Sequence, residues 1–190
     1  MQENFSTPKI LGGIGSILCA LAITPHLGPL TALIGFIFLL ISLNMFSKIF
    51  KDERIFKQAF ISIIFASVAI ILIIFIFGLI GFFIIRLSYH SYYFHFFHHL
   101  GITSFLGFLV AYILLILNGY YLKSAFELLS FHTEITLYKA GGVSYFIGTI
   151  LSIIFIGFLV IFAAWIILAV AFFITPDEKK EKTPDIKIIS

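Results

Sequence analysis

The stretch AGGVSYFIGTILSIIFIGFLVIFAAWIILAVAFFIT, residues 140–175, contains no charged side chain and decides the fold class. As one helix it would be roughly 54 Å long at about 1.5 Å per residue, which exceeds the roughly 40 to 45 Å of a bilayer with its headgroups. Divided near Gly157, it gives two helices of roughly 26 Å each, a little short of the roughly 30 Å hydrocarbon core. The length therefore favours a helical hairpin in a membrane, with its turn near Ile156 and Gly157.

A second uncharged run, residues 10–47, contains a Pro-His-Leu-Gly-Pro break at residues 25–29 that ends one helix and starts another. Its sequence IGSIL, residues 14–18, matches IGTIL, residues 147–151, and after a gap the glycine of the break falls on Gly157. This alignment predicts that the N-terminal and C-terminal hairpins are a repeat. The alternative is a chance match between two strings rich in Ile, Leu, Phe and Gly.

The composition of the whole chain predicts an integral membrane protein. Of its 190 residues, 61% are hydrophobic and 11% are charged, and the mean hydropathy is +1.15. A soluble domain of this size could not bury so much apolar surface, whereas a bilayer solvates it directly. The net charge of +3 concerns orientation rather than nucleic-acid binding. The predicted partner is therefore the lipid bilayer, and Cys19, as the lone cysteine, excludes an internal disulfide.

The distribution of basic residues predicts the topology. A model with six membrane segments puts all of the 12 basic residues except Arg86 on one side, whereas five segments would move the tail lysines across the membrane. Because basic residues concentrate in the cytoplasm, six segments are favoured, although five stay open, since a short tail with four lysines could be tolerated outside. We expect an all-α, polytopic transmembrane bundle in the cell membrane with both termini cytoplasmic. Residues 1–175 form a single transmembrane domain, and residues 176–190 form a flexible charged tail.

Small residues at helical spacing predict where helices approach one another. In a bilayer, close packing at Gly, Ser and Cys drives helix association, because lipid tails are as apolar as the helices themselves. The residues predicted to pack in this way are Gly12, Gly15, Ser16, Cys19, Gly148, Ser152 and Gly157. Asn118, near the end of the uncharged segment 101–122, is interpreted as an interhelical hydrogen-bond partner rather than a ligand.

A histidine-rich segment offers the one candidate metal site. His95 and His99 lie four residues apart and His98 lies beside them, so a helix would place all three on one side, a spacing compatible with zinc or copper. The alternative, which we favour, is that these rings anchor the chain at the lipid headgroups together with the neighbouring tyrosines. His132 is expected on the opposite side of the membrane. Loss of metal binding on replacing His95 and His99 together would distinguish the two interpretations.

The chain resembles a domain-of-unknown-function family (the 996 type) of small multi-pass membrane proteins found mainly in archaea and some bacteria. The residues that carry the resemblance are Leu11 to Leu18 (LGGIGSIL), Ile34-Gly35, Ile55-Phe56, Tyr138 to Gly141, Ile147-Gly148, Ile156-Gly157 and Ala171 to Phe173. The resemblance covers both ends well and the middle poorly. Because the family has no assigned activity, the resemblance implies no functional residue, and the histidine-rich segment departs from its pattern.

Three functions remain open at the level of sequence. The favoured one is a non-catalytic membrane scaffold or accessory subunit that packs with itself or with a membrane-protein partner, because no charged residue lies in the middle of a segment. The alternative is a small-solute transporter or channel, which a hairpin repeat would suit. A lesser alternative is a metal-binding protein that uses the histidines. No catalytic constellation or phosphate-binding loop is recognisable, so we expect neither an enzyme nor a bound cofactor.

Overall fold

The computed structural model describes residues 5–24, 28–87 and 94–177, and within them every regular element is a helix. The side chains of residues 23, 29, 83–87 and 94–100 lie outside this description. The α-helices are α1 (Ser6–Ala20), α2 (Gly28–Phe50), α3 (Glu53–Leu87), α4 (Phe94–Thr133), α5 (Thr136–Leu151) and α6 (Ile156–Ile174). Three-residue 3-10 turns, Leu21–Ile23 and Ser152–Ile154, follow α1 and α5. The expected all-α helical bundle is confirmed.

Five of these helices, α2 to α6, are long and apolar enough to cross a membrane. α1 is shorter, with 15 residues before its 3-10 turn. Large apolar side chains remain exposed on the outside of the bundle, among them Ile71, Ile74 and Phe105. In water such a surface would aggregate, whereas in lipid it needs no covering protein. The helices therefore indicate a membrane protein.

The uncharged run 140–175 folds as the expected hairpin rather than as one helix. The reversal takes place in the 3-10 turn and at Phe155, whose φ of 57° lies in the left-handed region. Just after it, Gly157 lies so close to the backbone of Ser152 that a Cβ atom would overlap the backbone nitrogen. The N-terminal hairpin has the same element order, and a Cβ on Gly28 would overlap the carbonyl of Ala22. Both hairpins therefore begin their return helix with a glycine pressed against the preceding backbone.

The helix order brings the first and last helices together. α1 packs against α2 and α6, α4 packs against α3 and α5, and α5 packs against α6. The buried core includes a set of packed rings, in which Tyr138 lies 5.0 Å from Phe172 and 6.3 Å from Phe126, centroid to centroid. Edge-to-face and stacked ring pairs of this kind contribute beyond their buried area. This aromatic core fixes α4, α5 and α6 relative to one another.

The two tight links, between α2 and α3 and between α4 and α5, are built alike. Lys51 and Glu134 adopt φ values of 54° and 60°, the left-handed conformation that ends a helix. The hydroxyls of Ser47 and Ser130 donate to the backbone carbonyl five positions later, at 2.9 and 2.8 Å. Both links lie at the same end of the bundle, since His132 contacts Asp52 at 3.0 Å.

The described chain also starts and finishes at that end. The backbone N–H of Phe5 donates to the carbonyl of Asp177 at 2.9 Å, and the Lys9 ammonium lies 2.5 Å from the Asp177 carboxylate. We call this part of the bundle, with residues 51–54, 132–134 and 177, the charged end. From it α3 and α4 run for about 50 to 60 Å at 1.5 Å per residue, roughly twice the length of α5 or α6.

Candidate functional site

A buried network of polar side chains joins α3, α4 and α5. Asn118 of α4 donates through Nδ2 to the hydroxyl and the carbonyl of Ser62 on α3, at 2.8 and 3.0 Å. Its Oδ1 accepts from the hydroxyl of Tyr145 on α5 at 3.0 Å. The Ser62 hydroxyl in turn donates to the Asn118 carbonyl at 3.1 Å. All three side chains are buried, so the network joins three helices.

This network is neutral and closed. Both the donor and the acceptor ends of the Asn118 amide have partners, and Ser62 both donates and accepts. Next to it, a Cβ on Gly119 would overlap the hydroxyl of Thr149, which donates to the Phe146 carbonyl at 2.7 Å. Among the described side chains, the buried polar atom without a partner is Oε1 of Gln58, which lies one turn inside the charged end. The arrangement stabilises helix contacts and offers no free group to a ligand.

A second polar cluster surrounds Asp52 at the charged end. Its carboxylate accepts from the Arg54 guanidinium at 2.8 and 2.9 Å, from the Arg54 backbone N–H at 3.1 Å, and contacts Nε2 of His132 at 3.0 Å. The side-chain hydrogen bonds from Arg54 hold the pKa of the Asp52 carboxyl well below its usual range. Burial raises this pKa by less than those bonds lower it, and the hydrogen bonds from His132 and from the Arg54 backbone lower it further. Phe50 stacks on the His132 ring at 5.0 Å. The cluster is a helix cap and an ion pair that join α2, α3 and α4.

The described residues at this cluster do not form a Ser-His-Asp arrangement. The nearby hydroxyl of Ser47 is buried and donates to the Asp52 carbonyl rather than to His132. No group of three or more His, Cys, Asp or Glu side chains suitable for a metal ion occurs among residues 5–24, 28–87 and 94–177. Asp52 and His132 join the helix ends through their contact at 3.0 Å.

The predicted packing residues of α1 lie in close helix contacts. Gly12 meets the ring of Phe172 on α6, and a Cβ on Gly15 would come within 2.8 Å of the Gly35 carbonyl on α2. Gly35 in turn faces Cys19, whose Sγ would be 2.9 Å from a Cβ placed there. Ser16 is buried with its hydroxyl donating to the Gly12 carbonyl at 2.8 Å. α1 thus reaches two neighbouring helices through its small residues.

The predicted packing residues of the C-terminal hairpin contact one another. A Cβ on Gly148 would lie 2.7 Å from the Ile161 side chain and 3.1 Å from the Gly157 carbonyl. Ser152 stands in the turn rather than in the interface, and its hydroxyl donates to the Thr149 carbonyl at 2.8 Å. These contacts hold α5 and α6 together up to their reversal.

The candidate metal ligands lie at the other end of the long hairpin. The backbone of His95, His98 and His99 forms the first turns of α4, but their side chains are outside the described part of the structure. His132 lies near the opposite end of the same helix. The metal interpretation therefore remains a prediction from spacing.

Sequence reasoning did not identify the partners of Asn118 or the pair formed by Asp52 and His132. The sequence did not indicate Ser62 and Tyr145 as partners of Asn118, because residues with hydroxyl groups are common in apolar segments. The three residues also lie far apart in the chain. Asp52 did carry a signal, since an Asp immediately before a helix start is typical of an N-cap. Its contact with His132, 80 positions away, could not be read from that signal.

Comparison with known proteins gives two matches over most of the chain. The family described as protein of unknown function (DUF996) matches residues 31–166. An uncharacterised protein of Methanocaldococcus jannaschii is 33% identical over 186 residues, which cover 96% of this chain and 99% of that relative. No solved structure matches the chain.

Proposed function

The chain belongs to the DUF996 family of proteins of unknown function, and on that premise we propose that it is a non-catalytic membrane scaffold or accessory subunit. The observation that carries this proposal is the closed network of Ser62, Asn118 and Tyr145. A transport path needs polar groups that face a cavity and can form hydrogen bonds to a passing solute. Here the side-chain polar groups of the network are bound by neighbouring helices.

The charged end supports the same proposal. Lys9, Asp177, Asp52 and His132 tie the ends of the helices together through ion pairs and hydrogen bonds. Such contacts rigidify a bundle and leave its outer apolar surface for other membrane components. We propose that the protein lies in the cell membrane with this end in the cytoplasm, because the basic residues of the described chain other than Arg86 lie on its side of the bundle. Its partner would be a second copy or another membrane protein.

The test is association in native membranes, measured beside transport. Cross-linking in the membrane followed by gentle solubilisation should yield the protein in a reproducible stoichiometric complex, with itself or with one partner. Purified protein in sealed vesicles should show no more solute flux than protein-free vesicles. Flux that is present in the wild type and lost in Asn118→Leu would overturn the proposal, because it would place a solute path at the network.

A small-solute transporter is the second candidate, and one observation favours it. Both short hairpins consist of a helix, a three-residue 3-10 turn and a return helix. Many transporters are built from such internal repeats. The flux measurement distinguishes this candidate from the scaffold, since only a transporter moves solute without a partner.

A further inference from the structure

A chain of side-chain contacts through Asn118 places one residue from each of helices α2 to α6 at the same height along the bundle. Hydrogen bonds place Ser62 of α3 and Tyr145 of α5 at this level. The Tyr145 ring lies 5.2 Å from Trp165 of α6, and Trp165 lies 5.6 Å from Phe36 of α2. These five side chains thus mark one cross-section of the bundle, against which the reach of each helix can be compared.

Beyond this cross-section, away from the charged end, the helices differ greatly in length. At about 1.5 Å per residue, residues 63–87 of α3 and residues 94–117 of α4 extend roughly 36 Å further. Residues 28–35 of α2 and residues 156–164 of α6 extend only about 12 to 14 Å. The far ends of α2 and α6 therefore stop more than 20 Å short of the far ends of α3 and α4, a large part of a hydrocarbon core of about 30 Å.

The outer part of the α3–α4 hairpin must itself lie in lipid. Its helices contact each other, as between Phe77 and Phe108 at 5.5 Å, and large apolar side chains cover their outer faces. Ile71, Ile74 and Phe105 are 65%, 66% and 69% exposed. No charged residue occurs between Lys57 and Arg86 on α3. Water cannot solvate such a surface at an acceptable free energy, so the hydrocarbon core extends along this hairpin.

The part of α4 between the histidine-rich segment and Lys123, residues 101–122, locates the tip of the α5–α6 hairpin within that core. Residues 101–122 cover about 33 Å, which matches the hydrocarbon thickness. Tyr112 stands at the middle of this segment, and its hydroxyl donates to the carbonyl of Ile150 at 2.5 Å, one residue before the end of α5. The reversal that follows therefore lies near the centre of the bilayer.

The tip has the surface and the hydrogen bonding that this depth requires. Ile153 and Phe155 are 71% and 82% exposed, and no charged side chain lies in or beside the turn. Besides the carbonyl that Tyr112 satisfies, the carbonyl of Thr149 accepts from the Ser152 hydroxyl, and that of Ser152 accepts from the N–H of Phe155. Non-helical backbone in a bilayer is tolerated where its polar groups are satisfied within the protein. This apolar surface is suited to contact with the acyl chains of the lipids.

We propose that the protein is a wedge: α3 and α4 alone cross the bilayer, while the α1–α2 and α5–α6 hairpins enter from the charged end and turn back near the midplane. Helices α2, α5 and α6 are long enough to span, but their depth relative to α4 leaves their far ends inside the membrane. Six helices then occupy one leaflet and two the other. Since each helix is about 10 to 12 Å wide, the protein takes up roughly three times more area in the leaflet at the charged end.

This asymmetry predicts a preference for curved membranes in which the leaflet at the charged end is the convex one, because the convex leaflet of a curved bilayer has more area. The inference goes beyond a scaffolding role and does not depend on a protein partner. It also keeps both chain ends on one side of the membrane, as six crossings would. The depth of the hairpin tip, rather than the sidedness of the termini, distinguishes the two topologies.

The first test measures that depth with a nitroxide label on single cysteines in a Cys19→Ser background. The label at Ile154→Cys should be accessible to oxygen and protected from an aqueous nickel chelate to the same degree as the label at Ile113→Cys. Ile113 is a matched control, because it is 49% exposed and lies beside Tyr112 at the midplane. Lys57→Cys gives the reference for the polar surface. Nickel accessibility at position 154 as high as at position 57 would overturn the wedge.

The second test measures curvature preference with fluorescent protein in giant phosphatidylcholine vesicles from which a narrow tubule is pulled. Protein with its charged end on the outer, convex surface should be denser on the tubule than on the vesicle, and protein of the opposite orientation should be less dense. A protease that cuts the C-terminal tail from outside separates the two populations. Equal densities in both orientations would overturn the proposed preference.

Discussion

At the scale of single residues, Asn118 has the largest predicted effect in the interior. Replacing it by Leu leaves the Tyr145 hydroxyl without its partner and removes both bonds to Ser62. We expect Asn118→Leu to lower the free energy of unfolding by about 1 to 2 kcal/mol, measured by denaturant titration in mixed micelles. Tyr145→Phe is the matched variant, because it removes one hydrogen bond and should cost less than about 1 kcal/mol. Equal stability of wild type and Asn118→Leu would contradict a structural role for the network.

Asp52 predicts a pH dependence of stability at the same scale. Its pKa is lowered in the folded protein, chiefly by hydrogen bonds from the Arg54 side chain, so the unfolded chain binds more protons. The stabilisation is therefore fully present above the usual Asp pKa of about 4 and is lost as the pH falls below it. The thermal midpoint of Asp52→Asn should fall less between pH 6 and pH 3 than that of the wild type.

A second variant at this position separates charge from capping. The Asp52 carboxylate caps α3 by accepting from the Arg54 backbone N–H at 3.1 Å, and an Asn amide oxygen can replace it. Asp52→Ala removes the cap as well and should cost a further 0.5 to 2 kcal/mol or so at any pH. If the Asp52→Asn and Asp52→Ala variants were equally stable at pH 6, the cap would contribute nothing to the free energy of unfolding.

At the scale of helices, the hairpins depend on glycines that face backbone. A Cβ on Gly15 would lie 2.8 Å from the Gly35 carbonyl and 2.9 Å from the Leu39 nitrogen, and backbone atoms cannot turn aside as side chains do. We expect Gly15→Ala to separate α1 from α2 and to lower the thermal midpoint in detergent. Gly78→Ala on α3 is the matched control, because nothing lies within 4 Å of its Cβ position. There alanine should be neutral or stabilise by up to about 1 kcal/mol, through its higher helix propensity.

At the scale of the whole molecule, the arrangement of helices predicts the sidedness of the chain. The described chain ends meet through Phe5 and Asp177, while α3 ends and α4 begins at the opposite end of the bundle. Single cysteines at Lys182 and Ser91, both outside the described residues, should react from opposite sides of sealed membranes in a Cys19→Ser background. Because basic residues favour the cytoplasm, we expect Lys182 to be the cytoplasmic one. Labelling of both positions from the same side would contradict this topology.

The sequence alone determined the membrane class, the hairpin in residues 140–175 and the glycines at which helices approach. These features depend on local hydrophobicity, chain length and residue size, which can be read along the chain. The partners of Asn118 and the pair of Asp52 and His132 required the tertiary structure, because each joins helices that are distant in sequence. The depth of the short hairpins required it as well. Length and composition give α5 and α6 enough residues to span, and the contacts of Asn118 and Tyr112 with α5 set their level against the long hairpin.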